Sequence, residues 1–379
     1  MIFDVSDKEF KKILGDKHLF LPLTWDGKDF SKTLQELFDQ YIGDLKNVTG
    51  STPSHYGIQV DLDKIREVVY LLVKTTNEYL NGFPADAYIT FEKVMQILDR
   101  KRLKVYQKSV IEDPNHPGTD PLRLFRVTKV DKRLVYPRKR VFHTPYNLRS
   151  LVSTNRYSIA GYPSLYLSTS LELCCNETHA DLDKNLYITS AFKFERAYQY
   201  SETNIRVIEL GIKPQDFLRE ESRLFDTADS NKITKRSVSW DILEQIDVRT
   251  AYLLWYPLIA ACSYIRVNKG DPFAAEYIIP QLLLQWVRKR FDIEYQEIYR
   301  NLIGIRYFSC VSKEDSEKGF NYVFPTSGEP VSSAYPYCPV LTKAFQLTNP
   351  VYISNYPSVA KCEEDLRSAL DSDYDHPNL

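Results

Sequence analysis

Two charged residues of this chain fall where charge is expensive, and both are of types that do chemistry. Over Leu171 to Ala180 the apolar period predicts a helix, started by an N-cap at Ser168 or Thr169. At about 100° per residue, Glu172, Asn176 and His179 share one polar stripe, and Glu177 falls opposite, between Leu173 and Cys174. A carboxylate on that side is costly unless it is paired or has a chemical role. Arg126 poses the same question. In Leu122-Arg123-Leu124-Phe125-Arg126-Val127, strand alternation puts it on the face of Leu122 and Leu124. An inward arginine pairs with a buried carboxylate or holds a phosphate, and Glu177 is an available carboxylate.

Around Arg126 lies a basic run. Residues 121 to 149 carry Arg123, Arg126, Lys129, Lys132, Arg133, Arg138, Lys139, Arg140 and Arg149 against the single acid Asp131. For most of these the expectation is a solvated, charged hairpin. Within the run, His143 is a candidate substrate contact and Arg149 a candidate phosphate ligand.

The elements that must position these residues change texture along the chain. Phe30 to Leu45 and Asp61 to Tyr79 have helical apolar spacing, and a further helix follows the Asn81-Gly82-Phe83-Pro84 break. Residues 1–112 are therefore expected to be an all-α region. Asp113-Pro114-Asn115-His116-Pro117-Gly118-Thr119-Asp120 reads as a linker, 113–120. Beyond it, strands are expected at 122–127, 165–167, 187–194, 205–212, 304–309 and 322–324, with helices near 170–180, 239–265 and 273–291. The mixed order predicts an α+β domain over 121–356 rather than a regular βαβ repeat. Residues 357–379 are expected to be a frayed tail.

Bulk properties exclude several classes. The formal net charge of -1 on 379 residues gives no global field toward nucleic acid or an acidic membrane. The longest apolar stretch, Ala251 to Ile265, is interrupted by Pro257 and too short for a bilayer, so it reads as a buried helix. The start, Met1-Ile2-Phe3-Asp4, lacks the basic and apolar regions of a signal peptide. Six cysteines show no Cys-x-x-Cys spacing. A cytoplasmic protein with reduced thiols is expected. The 27 tyrosines suit cores and interfaces, and also stacking on flat ligands. The Gly-rich phosphate loops, the His-Glu-x-x-His helix and the Gly-x-Ser-x-Gly elbow are absent from the sequence.

Three blocks carry a resemblance: "LFRV", "NRYSIAGYPSLYLSTSLELCCNE" and "GIRYFSCVS". Over about residues 121 to 355 the chain resembles the RES-domain family, named for a spaced Arg, Glu and Ser. These map to Arg126, Glu177 and Ser309, and the family's strand-end tyrosine maps to Tyr166. The N-terminal "YLNGFPADAY" resembles the helical extension of longer members. The resemblance implies a fold like the diphtheria-toxin-type ADP-ribosyltransferases, with mixed or antiparallel sheets. It implies an NAD-consuming enzyme, a toxin or defence effector, that breaks the bond between nicotinamide and ribose. NAD would be its substrate, and no metal is expected.

In that reading Glu177 stabilises an oxocarbenium-like transition state, and Arg126 grips the pyrophosphate or ribose side or orients Glu177. Tyr166 stacks on nicotinamide, and Ser309 hydrogen-bonds the carboxylate or the substrate. Arg156 and Tyr157 stand where the family commonly has Arg-Trp, and line the nucleotide cleft or shape a turn. Compact members place the Ser much nearer the Glu, so a long insertion separates Glu177 from Ser309 here. Tyr157-Ser158 replaces the frequent Trp-Asn. Hydrolysis, phosphorolysis and ADP-ribosyl transfer to a protein or nucleic acid all stay open, as does a non-catalytic nucleotide-binding module. An inhibitory antitoxin or regulatory protein and a homo-oligomer are the partners this reading allows.

Overall fold

A computed structural model describes residues 1–48, 50–52, 57–99, 104–106, 122–195, 205–218, 248–298, 302–326 and 335–372. In chain order the first elements are β1 (Ile2–Val5), α1 (Asp7–Leu14), α2 (Phe30–Lys46), β2 (Ile58–Asp61), α3 (Leu62–Leu80) and α4 (Pro84–Asp99). Next come β3 (Lys104–Tyr106), β4 (Leu124–Val130), β5 (Ser164–Ser168), α5 (Leu171–Glu177), β6 (Leu186–Phe194) and β7 (Ile205–Leu210). There follow α6 (Val248–Ala261), α7 (Ile278–Ile298), β8 (Leu302–Phe308) and β9 (Phe320–Pro325). The last are α8 (Pro339–Ala344), β10 (Phe345–Leu347), β11 (Val351–Tyr352) and α9 (Val359–Ser372). The fold is α+β.

The chain divides into two compact units. The first comprises residues 1–104, 212–233 and 239–286. The second comprises residues 105–211, 234–238 and 287–379. The segment 239–286, expected inside the second domain, thus groups with the N-terminal helices. The expected linker at 113–120 lies outside the described residues.

The first unit is not all-α. β1 and β2 pair antiparallel, Ile2 opposite Asp61 through Val5 opposite Ile58. Each strand has only four residues, too few for the alternation to stand out beside the long helices. α3 and α4 form a hairpin closed at Gly82, whose φ of +88° suits glycine. α6 is the apolar stretch read as a buried helix. From Ala251 to Cys262, every residue except the helix's Pro257 is among the buried hydrophobics, and Pro257 itself is buried. Pro257 has no N–H for the carbonyl of Leu253 four residues back. The Tyr41 hydroxyl of α2 donates to that carbonyl instead, at 2.7 Å. Tyr256 and Tyr252 place their hydroxyls on the carbonyls of Leu19 and Ile212, at 3.0 and 3.2 Å. These three tyrosines are thus core residues, each ring buried and its hydroxyl satisfied by backbone. No described helix is long and apolar enough to cross a membrane.

The second unit is built on a nine-stranded mixed sheet in the order β10-β6-β4-β5-β9-β8-β7-β3, with β11 also on β6. β7 and β8 run parallel, and β4, β5, β6, β8 and β9 pair antiparallel. β5 holds β9 through five residue pairs but touches β4 through one, Phe125 opposite Ser168. Paired residues share a face of the sheet. One face therefore carries the row Phe125, Ser168, Asn321, Tyr307 and Leu210. The opposite face carries Leu167, Tyr322, Arg306 and Glu209. There Arg306 Nε donates to Glu209 Oε2 at 2.6 Å, and both side chains are buried.

α9 corrects the expectation of a frayed tail. Cys362, Leu366 and Leu370, at helical spacing, bury against Leu171, Cys174 and Cys175 of α5 and Phe125 and Val127 of β4. The acidic terminal residues obscured that stripe. All six cysteines are buried and free.

Replacing Tyr41 by Phe removes only the hydroxyl and leaves the Leu253 carbonyl buried without its donor. The expected loss is about 1–3 kcal/mol of stability, read as a lower urea midpoint with an unchanged m-value.

Candidate active site

α5 is short for two local reasons. Its N-cap is Ser170, not Ser168 or Thr169: the Ser170 hydroxyl accepts from Leu173 N at 3.2 Å. At the other end His179 takes a left-handed φ of +48°. Ala180 N then reaches back to Cys175 O at 2.9 Å, and His179 N to Asn176 O at 3.1 Å, which closes the helix as a Schellman motif. Glu177 is left in the last turn. The negative end of the helix dipole disfavours a carboxylate there, so helix stability does not account for its position.

Two further groups aim α5. Its first free N–H, on Leu171, donates to Glu363 Oε2 of α9 at 2.7 Å. Glu363 is itself paired with Arg367, whose Nη2 also donates to Thr169 O at 3.0 Å. At the C-terminal end, Asn176 Nδ2 donates to Asp315 Oδ1 at 2.7 Å. Ser312 Oγ donates to the other oxygen of Asp315, also at 2.7 Å. Gly319, at φ +135°, follows; an added Cβ would collide with Thr169 Oγ1. That close approach lets Thr169 and Phe320 bond through backbone at 3.0 Å and brings β9 in beside β5.

Glu177 is half-buried on the inward side of α5, as its period requires. Its Oε1 accepts from Asn321 Nδ2 at 2.6 Å. The amide cannot turn round, because Ser168 Oγ donates to Asn321 Oδ1, also at 2.6 Å. Tyr307 sits beside Asn321 on the same face. Burial pushes its phenol well above the ordinary range, and the charge of Glu177 adds to the effect. Tyr157 is fully buried against Tyr307, ring centroids 4.7 Å apart. Tyr166 shares the sheet face of Ser168 and is half-buried; its hydroxyl meets Ser158 Oγ at 2.7 Å. Ser158 in turn donates to Ser164 at 3.0 Å. Arg156, half-buried, lies close enough to Tyr307 to oppose that rise.

Arg126 shares its face with Leu124, opposite Ser190 and Phe192 on β6. Where β4 and β5 part, its Nη1 donates to the carbonyl of Tyr166 at 3.0 Å. Its Nε is buried without a partner, and it makes no ion pair with Glu177 or any other carboxylate among the described residues. Burial lowers the pKa of its guanidinium, partly offset by Cys174 and Tyr166. A structural Arg–Glu pair, one way both residues could be inward, is therefore not what the structure contains.

The remaining candidates separate. Ser309 is fully buried just past β8, and its Oγ accepts from Val311 N at 3.2 Å. No described contact joins it to Glu177. Arg149 is exposed and lies over the Tyr146 ring at 4.8 Å. His143 is fully buried. Its Nδ1 bonds Thr144 O at 2.8 Å and its Nε2 accepts from Cys338 N at 2.9 Å. Both ring nitrogens of the neutral form are thus used by backbone, and none is left for a substrate. The groups that the sequence reading missed are Asn321 and Tyr307. Tyr307 lies two residues before Ser309, and Asn321 alternates with Tyr322 in "FNYVF", so period-two spacing alone could have flagged both. The described residues near Glu177 include no metal-ligand cluster.

No family model matches the chain, and no solved structure matches it. It is similar to a Bacillus subtilis (strain 168) protein named "Putative toxin YopC", at 28% identity over 350 residues. That alignment covers 90% of this chain and 70% of the relative.

Burial pushes the His143 pKa down to about 4. The unfolded chain therefore takes up this proton at a higher pH than the folded one. The stability it contributes is fully present above pH 6.5 and drains away as pH falls toward about 4. The whole effect is roughly 3 kcal/mol. Urea midpoints measured across that window should show this slope in the native chain and a flatter one in His143→Gln.

Proposed function

We propose that the chain is an NAD-degrading enzyme of the RES type, with an ADP-ribosyltransferase-like second unit, that cleaves the nicotinamide–ribose bond. One observation carries the reading. An anchored carboxylate, Glu177, and a cation with no carboxylate partner among the described residues, Arg126, flank the same tyrosine-bearing strand, β5. The desolvation of an unpaired guanidinium is offset when an anion arrives, and a pyrophosphate is such an anion. Similarity to a protein named as a toxin supports a toxin role. A toxin that depletes NAD would need an inhibitory partner in its host.

In this mechanism the C1″–N bond breaks and nicotinamide leaves with the bonding pair as a neutral molecule. Glu177 faces the positive charge that develops at C1″ and holds a ribose hydroxyl. Asn321 keeps that carboxylate in one orientation. Tyr166, pinned at its hydroxyl by Ser158, offers its ring to the nicotinamide, and Tyr307 and Tyr157 back the carboxylate. Arg126 and Arg156 bind the phosphate side. Water completes hydrolysis by bonding to C1″ and releasing a proton; inorganic phosphate in its place gives ADP-ribose-1″-phosphate. Ser309 shapes the turn after β8.

Purified protein incubated with NAD should release nicotinamide, and Glu177→Gln should slow release at least about a hundredfold, a loss of roughly 2.7 kcal/mol in transition-state stabilisation. Arg126→Lys, which keeps the charge but loses the fork, should act mainly on KM. A requirement for phosphate selects phosphorolysis, and turnover without it selects hydrolysis. No release from the native chain, or full release from Glu177→Gln, overturns the proposal.

A further inference from the structure

The first unit holds a second group of chemistry-bearing side chains. Asp16 follows α1 and caps a 3₁₀ turn at Lys17–Leu19, its Oδ1 accepting from His18 N at 3.4 Å. The same oxygen lies 2.7 Å from His18 Nδ1. With the neutral ring in its Nδ1–H tautomer, Nε2 offers its lone pair to a ligand. Nε2 faces Asp44 Oδ2, near the end of α2, at 3.2 Å. Both atoms are buried, and neither has a hydrogen-bond partner. With Asp16 they form a group whose ligand atoms all lie within 4.8 Å of one another, close enough for one metal ion.

The spacing fits that role. Two ligand atoms on a tetrahedral zinc with bonds of about 2.0–2.1 Å lie about 3.3 Å apart. Carboxylate, histidine and metal in line is a recurrent arrangement in which the outer carboxylate fixes the tautomer. We propose that His18 Nε2 and Asp44 Oδ2 bind one divalent ion of the zinc class, with Asp16 orienting the imidazole. An imidazole and a carboxylate favour such an ion over magnesium or calcium. The remaining coordination positions open into a cleft lined by Lys12, Lys17 and Asn47, where water reaches them. Lys12 and Lys17 are exposed, so solvent screens their repulsion. The ion would clip the turn after α1 to the end of α2.

The test titrates the full chain with zinc alone, by calorimetry, and follows thermal unfolding in parallel. The expected result is one zinc per chain and a raised Tm. His18→Gln and Asp44→Asn should each lose zinc affinity at least about tenfold and lose the Tm rise, while Asp16→Asn should weaken binding by about 10–100-fold. All three positions are partly exposed, and far-UV circular dichroism checks that the variants fold. Zinc uptake that survives in His18→Gln and Asp44→Asn would place the ion elsewhere, on the buried cysteines for example, and overturn the site. So would no uptake by the native chain.

Discussion

The candidate site depends on how little β4 and β5 touch. Along β9, β5 is fixed by five residue pairs, so its direction is set from that side. Toward β4 it makes one, at Ser168. Beyond that pair the strands part beside the carbonyl of Tyr166. A buried carbonyl needs a donor, and the guanidinium of Arg126 supplies it. The same pair fixes Ser168 opposite Asn321, where its hydroxyl locks the amide that holds Glu177. One rung of sheet therefore sets both charged groups.

A carboxylate held this firmly needs a helix that cannot drift, and α5 has seven residues. Isolated, it would not form. Its position comes from tertiary bonds at both ends: Glu363 and Arg367 at the start, Asp315 at the finish. Beneath it, Cys174 and Cys175 pack against Cys362 and Leu366. α9, at the far end of the sequence, is thus part of what aims Glu177. The opposite face of the sheet supplies stiffness of another kind, with Glu209 and Arg306 paired across β7 and β8 and Tyr322 next in the row.

What the sequence made legible follows from which signals are local. The inward side of Glu177 and the apolar face of Arg126 are properties of period, and both hold in the structure. The strands from β4 to β9 fell close to their expected places for the same reason. Non-local facts were out of reach. Asn321 lies 144 positions from Glu177, and an amide that serves a carboxylate looks like any strand asparagine until the register is known. The C-terminal stripe of Cys362, Leu366 and Leu370 was masked by acidic neighbours. The grouping of 239–286 with the N-terminal helices depends on contacts that no window of sequence contains. His143 drew attention as a histidine among cations, yet its two backbone partners make it a core residue. His18, with no motif around it, drew none.

The candidate site and the cation site share a physical signature, although their chemistries differ. In each, a polar group is buried with fewer partners than it can use. Arg126 keeps one donor on a backbone carbonyl and another idle. His18 Nε2 and Asp44 Oδ2 lie 3.2 Å apart, and neither makes a hydrogen bond. A fold under selection for stability alone would pair or remove such groups, because each unmade bond costs free energy. Glu177 adds a third case, a carboxylate at the unfavourable end of a helix. Tyr41 gives the contrast: where the core had a carbonyl orphaned by Pro257, a side chain was placed to satisfy it. At Leu253 a side chain repairs a buried polar defect; at Arg126 and at His18 and Asp44 buried atoms keep no hydrogen bond, and in both proposals a ligand would complete the bonding.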